Sequence, residues 1–262
     1  MRLTPFLVLL SVTALAAQDG PRSNPPGGHW EFGVIRQAPD FSGSYSKVGG
    51  SSYDTDKDLG LGKDTTGIGA LIEYEGRRFL LHMATYGQDY IGDKVTSQDV
   101  VINNTTYSGG TEVKSQVKLR NYELDWTIKV WRWDMAYLGL DLGFNAWNLK
   151  VAAQGVGTAP GYPPQYRSDS AAVTVPIPQL GGSFGAHLGK RADFRAYYNW
   201  LSRSGAKYHR EGADVRFYPL DWLGLRVNYE SEGFNVPEGS IDTSTALHIN
   251  KNGVGFGAVA RF

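Results

Sequence analysis

Along most of this chain apolar residues recur at every second position, the period of a β-strand whose two faces meet different surroundings. Trp30, Phe32 and Val34 alternate with Glu31 and Gly33, and Ile68, Ala70, Ile72 and Tyr74 alternate with Gly67, Gly69, Leu71 and Glu73. Phe79, Leu81 and Met83 follow a short turn at 75–77. The clearest stretch is NYELDWTIKV, with Tyr122, Leu124, Trp126, Ile128 and Val130 on one face and Asn121, Glu123, Asp125, Thr127 and Lys129 on the other. After a turn at 132–134, Ala136, Leu138, Leu140, Leu142 and Phe144 stand opposite Gly139, Asp141, Gly143 and Asn145. The alternation weakens over 173–188, where Pro176 and Pro178 point to an edge, a bulge or an irregular start. It returns in 194–200, 213–217 and 223–229, and in the terminal VGFGAVARF, which ends on Phe262. The pattern predicts ten strands, with eight as the alternative.

The segments between the strands are rich in Gly, Ser, Asn, Asp and Pro, as turns and loops are. Long connections are expected at 40–64, 90–112, 153–170 and 232–246, with a shorter one near 203–208. Short ones at 75–77, 132–134, 189–193 and 219–221 alternate with them. No repeat and no break in composition divides the chain, so residues 17–262 are read as one domain.

Residues 1–16 carry Arg2, an apolar run through Leu15 and the small-x-small pattern Ala14-Leu15-Ala16, which is the form of a secretory signal peptide cut before Ala17. Gln18, Asp19 and Gly20 end the run well short of a membrane-spanning helix. The absence of cysteine excludes disulfides, thiolate nucleophiles and thiolate metal sites. The 26 basic and 26 acidic residues cancel, which leaves no bulk field to attract nucleic acid.

An alternating chain of this kind either buries its apolar faces in a sandwich or turns them to lipid in a closed barrel, which leaves no backbone group unpaired in the membrane. Three features favour the barrel: the alternation of long and short connections, the aromatic residues at strand ends, and polar faces that mix charge with glycine. Near the short turns those aromatics are Tyr74, Phe79, Phe217, Trp222 and Phe262; near the long loops they are Tyr122, Trp200 and Tyr229. The fold class is therefore all-β, an antiparallel up-and-down transmembrane β-barrel following a signal peptide.

The signal peptide, the even strand number and the terminal strand ending in Phe262 resemble bacterial outer-membrane β-barrel proteins. The stretches DLGL at 58–61, VVINNTTYSGGTEVKSQV at 100–117 and LGLDLGFN at 138–145 are similar to a family of small outer-membrane barrels of unassigned function. The resemblance implies an outer-membrane location and a role for Phe262 as the signal read by the barrel assembly machinery. It implies no chemistry.

Catalytic signatures are weak. A barrel lipid hydrolase or acyltransferase needs a lipid-facing His near a Ser, whereas the His82-Met83-Ala84-Thr85 segment turns its histidine inward. A barrel protease with paired Asp and Asp/His at its rim lacks an Asp-His dipeptide here. Asp54, Asp56 and Asp58 open like a calcium loop, but Leu59 and Thr65 stand where the glycine and glutamate belong, so a solvated acidic loop is expected. No enzyme activity, metal or cofactor is expected.

The inward set is the most informative: Glu73, His82, Glu123, Asp125, Lys129, Asp141, Arg195, Asp214, Arg216, Arg226, Glu230 and Arg261. In a narrow lumen these charges should pair, giving a plug, or less favourably a charged constriction. Arg195, Arg216 and Arg226 are expected to reach Glu123, Asp125 and Asp141 through the space left by Gly253, Gly255 and Gly257. Lys118, Arg120 and Lys207 continue the outward face above the aromatic girdle, where lipid phosphates lie. The expected protein is a monomeric barrel with a mostly plugged lumen, structural or surface-binding through its loops. Its partners would be outer-membrane lipid and lipopolysaccharide. A narrow solute pore is the alternative, and an interfacial lipid enzyme is third.

Overall fold

The structure is a computed structural model that describes residues 28–47, 53–54, 58, 60–61, 67–102, 104–203, 205–237 and 245–262. The signal peptide expected at 1–16 lies outside them. Ten long antiparallel strands form a closed ring: β1 (His29–Lys47), β3 (Gly67–Glu75), β4 (Phe79–Val95), β7 (Glu112–Arg132), β8 (Ala136–Gly157), β9 (Gln165–Leu188), β10 (Ala192–Arg203), β11 (Ala206–Leu220), β12 (Leu223–Val236) and β13 (Thr245–Arg261). Each pairs with its sequence neighbour in the ring, and β13 closes on β1 from Glu31↔Arg261 to Lys47↔Thr245. The short β2 (Tyr53–Asp54) adds to the upper end of β1, and β5 (Val100–Ile102) with β6 (Thr105–Tyr107) forms a separate hairpin that is not a member of the ring.

The ten strands are those of the alternating pattern, but several are far longer than it indicates. Segments expected as long loops at 90–112 and 153–170 are largely strand, because β4 runs on to Val95, β8 to Gly157, and β9 starts at Gln165. The regular alternation of long and short connections also fails once, since β10 and β11 are joined through residues 204–205 alone.

The reason the extensions escape detection is a change of face. On β7 the outward residues Tyr122, Leu124, Trp126, Ile128 and Val130 are apolar and exposed, while the inward Glu123, Asp125, Thr127 and Lys129 are buried. Above Asn121 the chemistry inverts without a register shift: inward Val113, Val117 and Leu119 are buried and apolar, while outward Lys114 and Lys118 are exposed. On β8 the exposed Leu138, Leu140, Leu142 and Phe144 give way to inward Trp147, Leu149 and Ala153 and outward Lys150 and Gln154. The lower half is thus apolar outside and polar inside, as lipid requires; the upper half is apolar inside and polar outside, as water requires.

The upper core is completed from the loops. Leu61, Val100, Ile102 and Tyr107 are buried against Tyr90, Trp147, Ile177, Tyr208, Phe234 and Ile249 of the wall. The hairpin β5–β6 turns through Asn104 in the left-handed region (φ 66°), which asparagine tolerates. It is tied to the end of β8 by reciprocal Thr106–Thr158 backbone hydrogen bonds of 2.8 Å, and Tyr107 Oη donates to Asp169 at 3.0 Å.

Candidate functional site

The lumen is filled from its lower end by two connected knots of charge, the second reaching just above the apolar belt at Glu232 and Lys251. In the first, Arg216 donates to Glu31 at 2.5 Å, to Glu73 at 2.6 Å and to Asp214 at 3.1 Å. Arg226 reaches Asp214 at 3.1 Å and lies 3.9 Å from Glu73. Arg261, with its guanidinium 3.6 Å above the Tyr218 ring, donates to Glu31 at 2.6 Å and Asp193 at 2.5 Å. Below this knot Lys129 pairs with Glu75 at 2.6 Å, and His187 lies between Asp193 (2.8 Å) and Glu75 (3.4 Å).

In the second knot Arg210 donates to Glu123 at 2.5 Å, Asp125 at 2.8 Å and Glu230 at 2.9 Å, and Lys251 lies 2.6 Å from Glu232 and 3.2 Å from Glu230. Tyr197 donates to Glu230, Tyr208 and Asn145 donate to Glu232, and Gln179 donates to Asp125. His82 joins the knots, 2.9 Å from Glu73 and 3.6 Å from Glu123. The ligand-type oxygens of Glu123, Glu230 and Glu232, and the group His82, Glu123 and Asp125, cluster tightly enough to hold a metal ion, but Arg210 and Lys251 already supply the cations there. A cavity of about 20 Å³ among residues including Glu73, His187, Arg195 and Asp214 has room for a single water.

All twelve inward residues named from the sequence are at the lumen, but their partners differ from those expected. Glu123 and Asp125 pair with Arg210, and Asp141 accepts hydroxyl donation from Thr127 and Ser183. Arg195 donates to Thr127 at 3.1 Å and makes no ion pair among the described residues. The space at Gly255 is taken by Asn228, Ile35 and Gln37, and that at Gly257 by Ile35, so a Cβ at either glycine would collide. The pairing expected from glycine room and arginine reach does not form: Arg216 of β11 reaches across the lumen to Glu31 of β1 and Glu73 of β3, and Arg210 takes Glu123 and Asp125.

Outside, Lys118 and Lys207 are exposed. Arg120 is tied to Asp89 of β4 at 2.8 Å, with Lys118 at 4.0 Å from the same carboxylate. Asp58 is not solvated: burial would raise its pKa, but donation from Ser97 at 2.5 Å, the Asp54 N–H at 2.8 Å and Gln98 at 3.0 Å outweighs this and holds it below the usual carboxylate range. The aspartate pins its loop and leaves Leu61, three residues on, in the upper core.

No protein-family model matches the chain, and no curated protein resembles it significantly in sequence. Among solved structures, the outer membrane protease OmpT of Escherichia coli superposes with a TM-score of 0.56 at 9% identity, covering 93% of this chain and 99% of that one. The chain has the fold of a small bacterial outer-membrane β-barrel. At 9% identity the likeness speaks to the fold and carries no activity across. Ail, the attachment invasion locus protein of Yersinia pestis (TM-score 0.33, 11% identity, 90% of this chain, 99% of that one), and the toluene transporter TodX of P. putida (0.36, 6%, 91% and 90%) superpose less well.

Sequence reasoning missed Glu31, Arg210, Glu232 and Lys251, all buried in this barrel's lumen. Glu31 lies in an alternating segment, and its inward position follows directly from Trp30 and Phe32 pointing out. Arg210 follows from the outward Lys207 and His209 once β11 is extended upward. Glu232 and Lys251 lie above the apolar belt, where outward residues are polar and no alternation marks the strand.

Proposed function

We propose that this barrel is closed to solutes and acts in the outer membrane as a structural or surface-binding protein through its outward-facing surface and loops. The observation that carries the reading is the filling of the lumen: charge knots occupy the lower half, an apolar core the upper half, and the hairpin β5–β6 packs into its mouth. A water path through such an interior would have to separate buried charges or wet a dry core, and both are costly. Planar-bilayer recording of the refolded mature protein tests it. The expected trace is flat at resting voltages; a stable open-channel conductance would replace this reading with a solute pore.

The outward cations above the girdle support a contact with lipopolysaccharide phosphates, since charge-assisted hydrogen bonds to phosphate are strong. Arg120 is held by Asp89 at 2.8 Å and Lys118 only loosely at 4.0 Å, so the lysines should dominate. Replacing Lys118 and Lys207 by glutamine should lower lipopolysaccharide co-purification and melting temperature together, and Arg120→Gln should do less. Unchanged lipid content in the double lysine variant would remove the lipid phosphate as a partner.

A further inference from the structure

Two stretches of wall lose a neighbour above the membrane. β3 pairs with β4 only as far as Ile68↔Gly87, and among the described residues no strand pairs with β4 beyond Gly87 on that side. There the chain's own loop is at hand: Gly60, in the left-handed region at φ 62°, lies so close to β4 that a Cβ would sit 3.2 Å from Lys94 Cβ, and Asp58 bonds Ser97 and Gln98 just beyond. The other stretch is on β9. It pairs with β8 along its whole length from Gln165, but with β10 only from Leu180 to Leu188. Among the described residues, no strand pairs with 165–179 on the second side.

The prolines mark how this edge is used. The β8–β9 ladder passes Pro176 and Pro178 without a register shift, so the donors they lack belong to the free side. These positions begin just past the Trp200↔Leu180 pair, beside an exposed girdle tryptophan, where an unpaired N–H would face the lipid interface. Residues of the same parity further up, Thr174, Ala172, Ser170 and Ser168, retain their N–H groups and carry small side chains on the outer face. They stand in water as an unprotected strand edge, of the kind that adds another strand.

We propose that this upper edge of β9 is a docking site for an extended peptide segment of another protein, which adds as a strand and alternates acidic with apolar side chains. The inference rests on the closed, surface-acting barrel above. The alternation comes from the two faces of the edge. Outside, Lys118, Lys150 and Ala172 lie in one row across β7, β8 and β9, and an outward depression of about 200 Å³ is lined by residues including Lys118, Lys150 and Ser170. A residue opposite Ala172 on an added strand is next in that row, and the alanine leaves the Lys150 side chain room to reach a carboxylate there. Inside, Val173 is 46% exposed and awaits an apolar neighbour. A second copy is the poorer occupant, because self-pairing would bring a like-charged lysine row to the same edge.

The probe is a labelled peptide alternating glutamate and valine, titrated by fluorescence anisotropy into the refolded barrel in detergent free of lipopolysaccharide. Binding is expected, and a lysine–valine peptide should bind roughly fivefold more weakly, the effect of about one exposed ion pair. Ala172→Pro, which removes a free-side donor but not a β8 bond, should abolish binding while heat-modifiable mobility is retained. Lys150→Glu should reverse the preference between the peptides, and this holds as a test even where the proline variant folds poorly. Absent binding, binding unchanged by both substitutions, or a dimer that Ala172→Pro dissolves would overturn the proposal. None of these results alters the conductance expected of a closed barrel, so the two readings fail separately.

Discussion

Replacing Arg216 by alanine is expected to destabilise the barrel by about 3–5 kcal/mol and to open a conducting path through its lower half. Arg216 is the cation shared by Glu31, Glu73 and Asp214, each within 3.1 Å and each buried. After its removal Glu31 keeps Arg261 at 2.6 Å and Asp214 keeps Arg226 at 3.1 Å. Glu73 is left with His82 and an arginine 3.9 Å away, so its charge is the one most in need of water. Water entering the vacated volume joins the cavity beside Arg195 and Asp214, and conductance should follow. Arg216→Lys should fall between, since an ammonium restores charge without the planar fork that serves three carboxylates. Asp125→Ala should act in the same direction but less, because Arg210 retains Glu123 and Glu230. Arg195→Ala, with no ion pair to break, is the control of similar volume. Urea unfolding in detergent and single-channel recording read the two effects; an Arg216→Ala barrel as stable and as silent as the parent would show that the knot does not seal the lumen.

Deleting Phe262 should reduce membrane-integrated protein severely in cells while leaving refolding in vitro nearly normal. The residue contributes little to the finished wall: its N–H and C=O exchange hydrogen bonds of 2.9 Å with Trp30, its ring lies 6.1 Å from that of Phe32, and the side chain is 74% exposed. Two hydrogen bonds at about 1 kcal/mol each are a small part of a ring that remains paired from Glu31↔Arg261 upward. That outcome would mark Phe262 as a residue that matters far more for assembly than for stability, as expected of one read by assembly machinery before the seam closes. Heat-modifiable mobility, compared between membrane fractions and refolded material, separates the two effects. Equal losses in both settings would make Phe262 a structural closure, and no loss in cells would remove it as a signal.

Between Trp30 and Phe262 the sequence revealed the membrane half of this wall because lipid imposes one rule there: every second residue must be apolar. Tyr122 to Val130 obey it, and so does every inward charge found from it. Above Tyr122 the wall stands in water, and the same backbone parity carries the opposite chemistry. Val113, Val117 and Leu119 on β7 alternate too, but with apolar residues on the inner face; taken with the lower pattern the strand shows no consistent amphipathic side. Partner choice within the lumen was illegible for a different reason. Which arginine meets which carboxylate depends on stagger between strands, and Arg216 meets Glu31 across 185 residues of chain.

The inversion at Asn121 also acts as a draught mark that fixes how deep the molecule floats. Were the barrel to sink by one pair of residues, Arg120 and Asn148 would enter hydrocarbon; were it to rise, Tyr122 and Ala146 would be wetted. Because inner and outer chemistry change at the same row, vertical sliding has no compensating gain on either surface. In a bilayer thicker or thinner than the band from Tyr122 to Val130, the lipid should therefore deform around the barrel, and the barrel should hold its level.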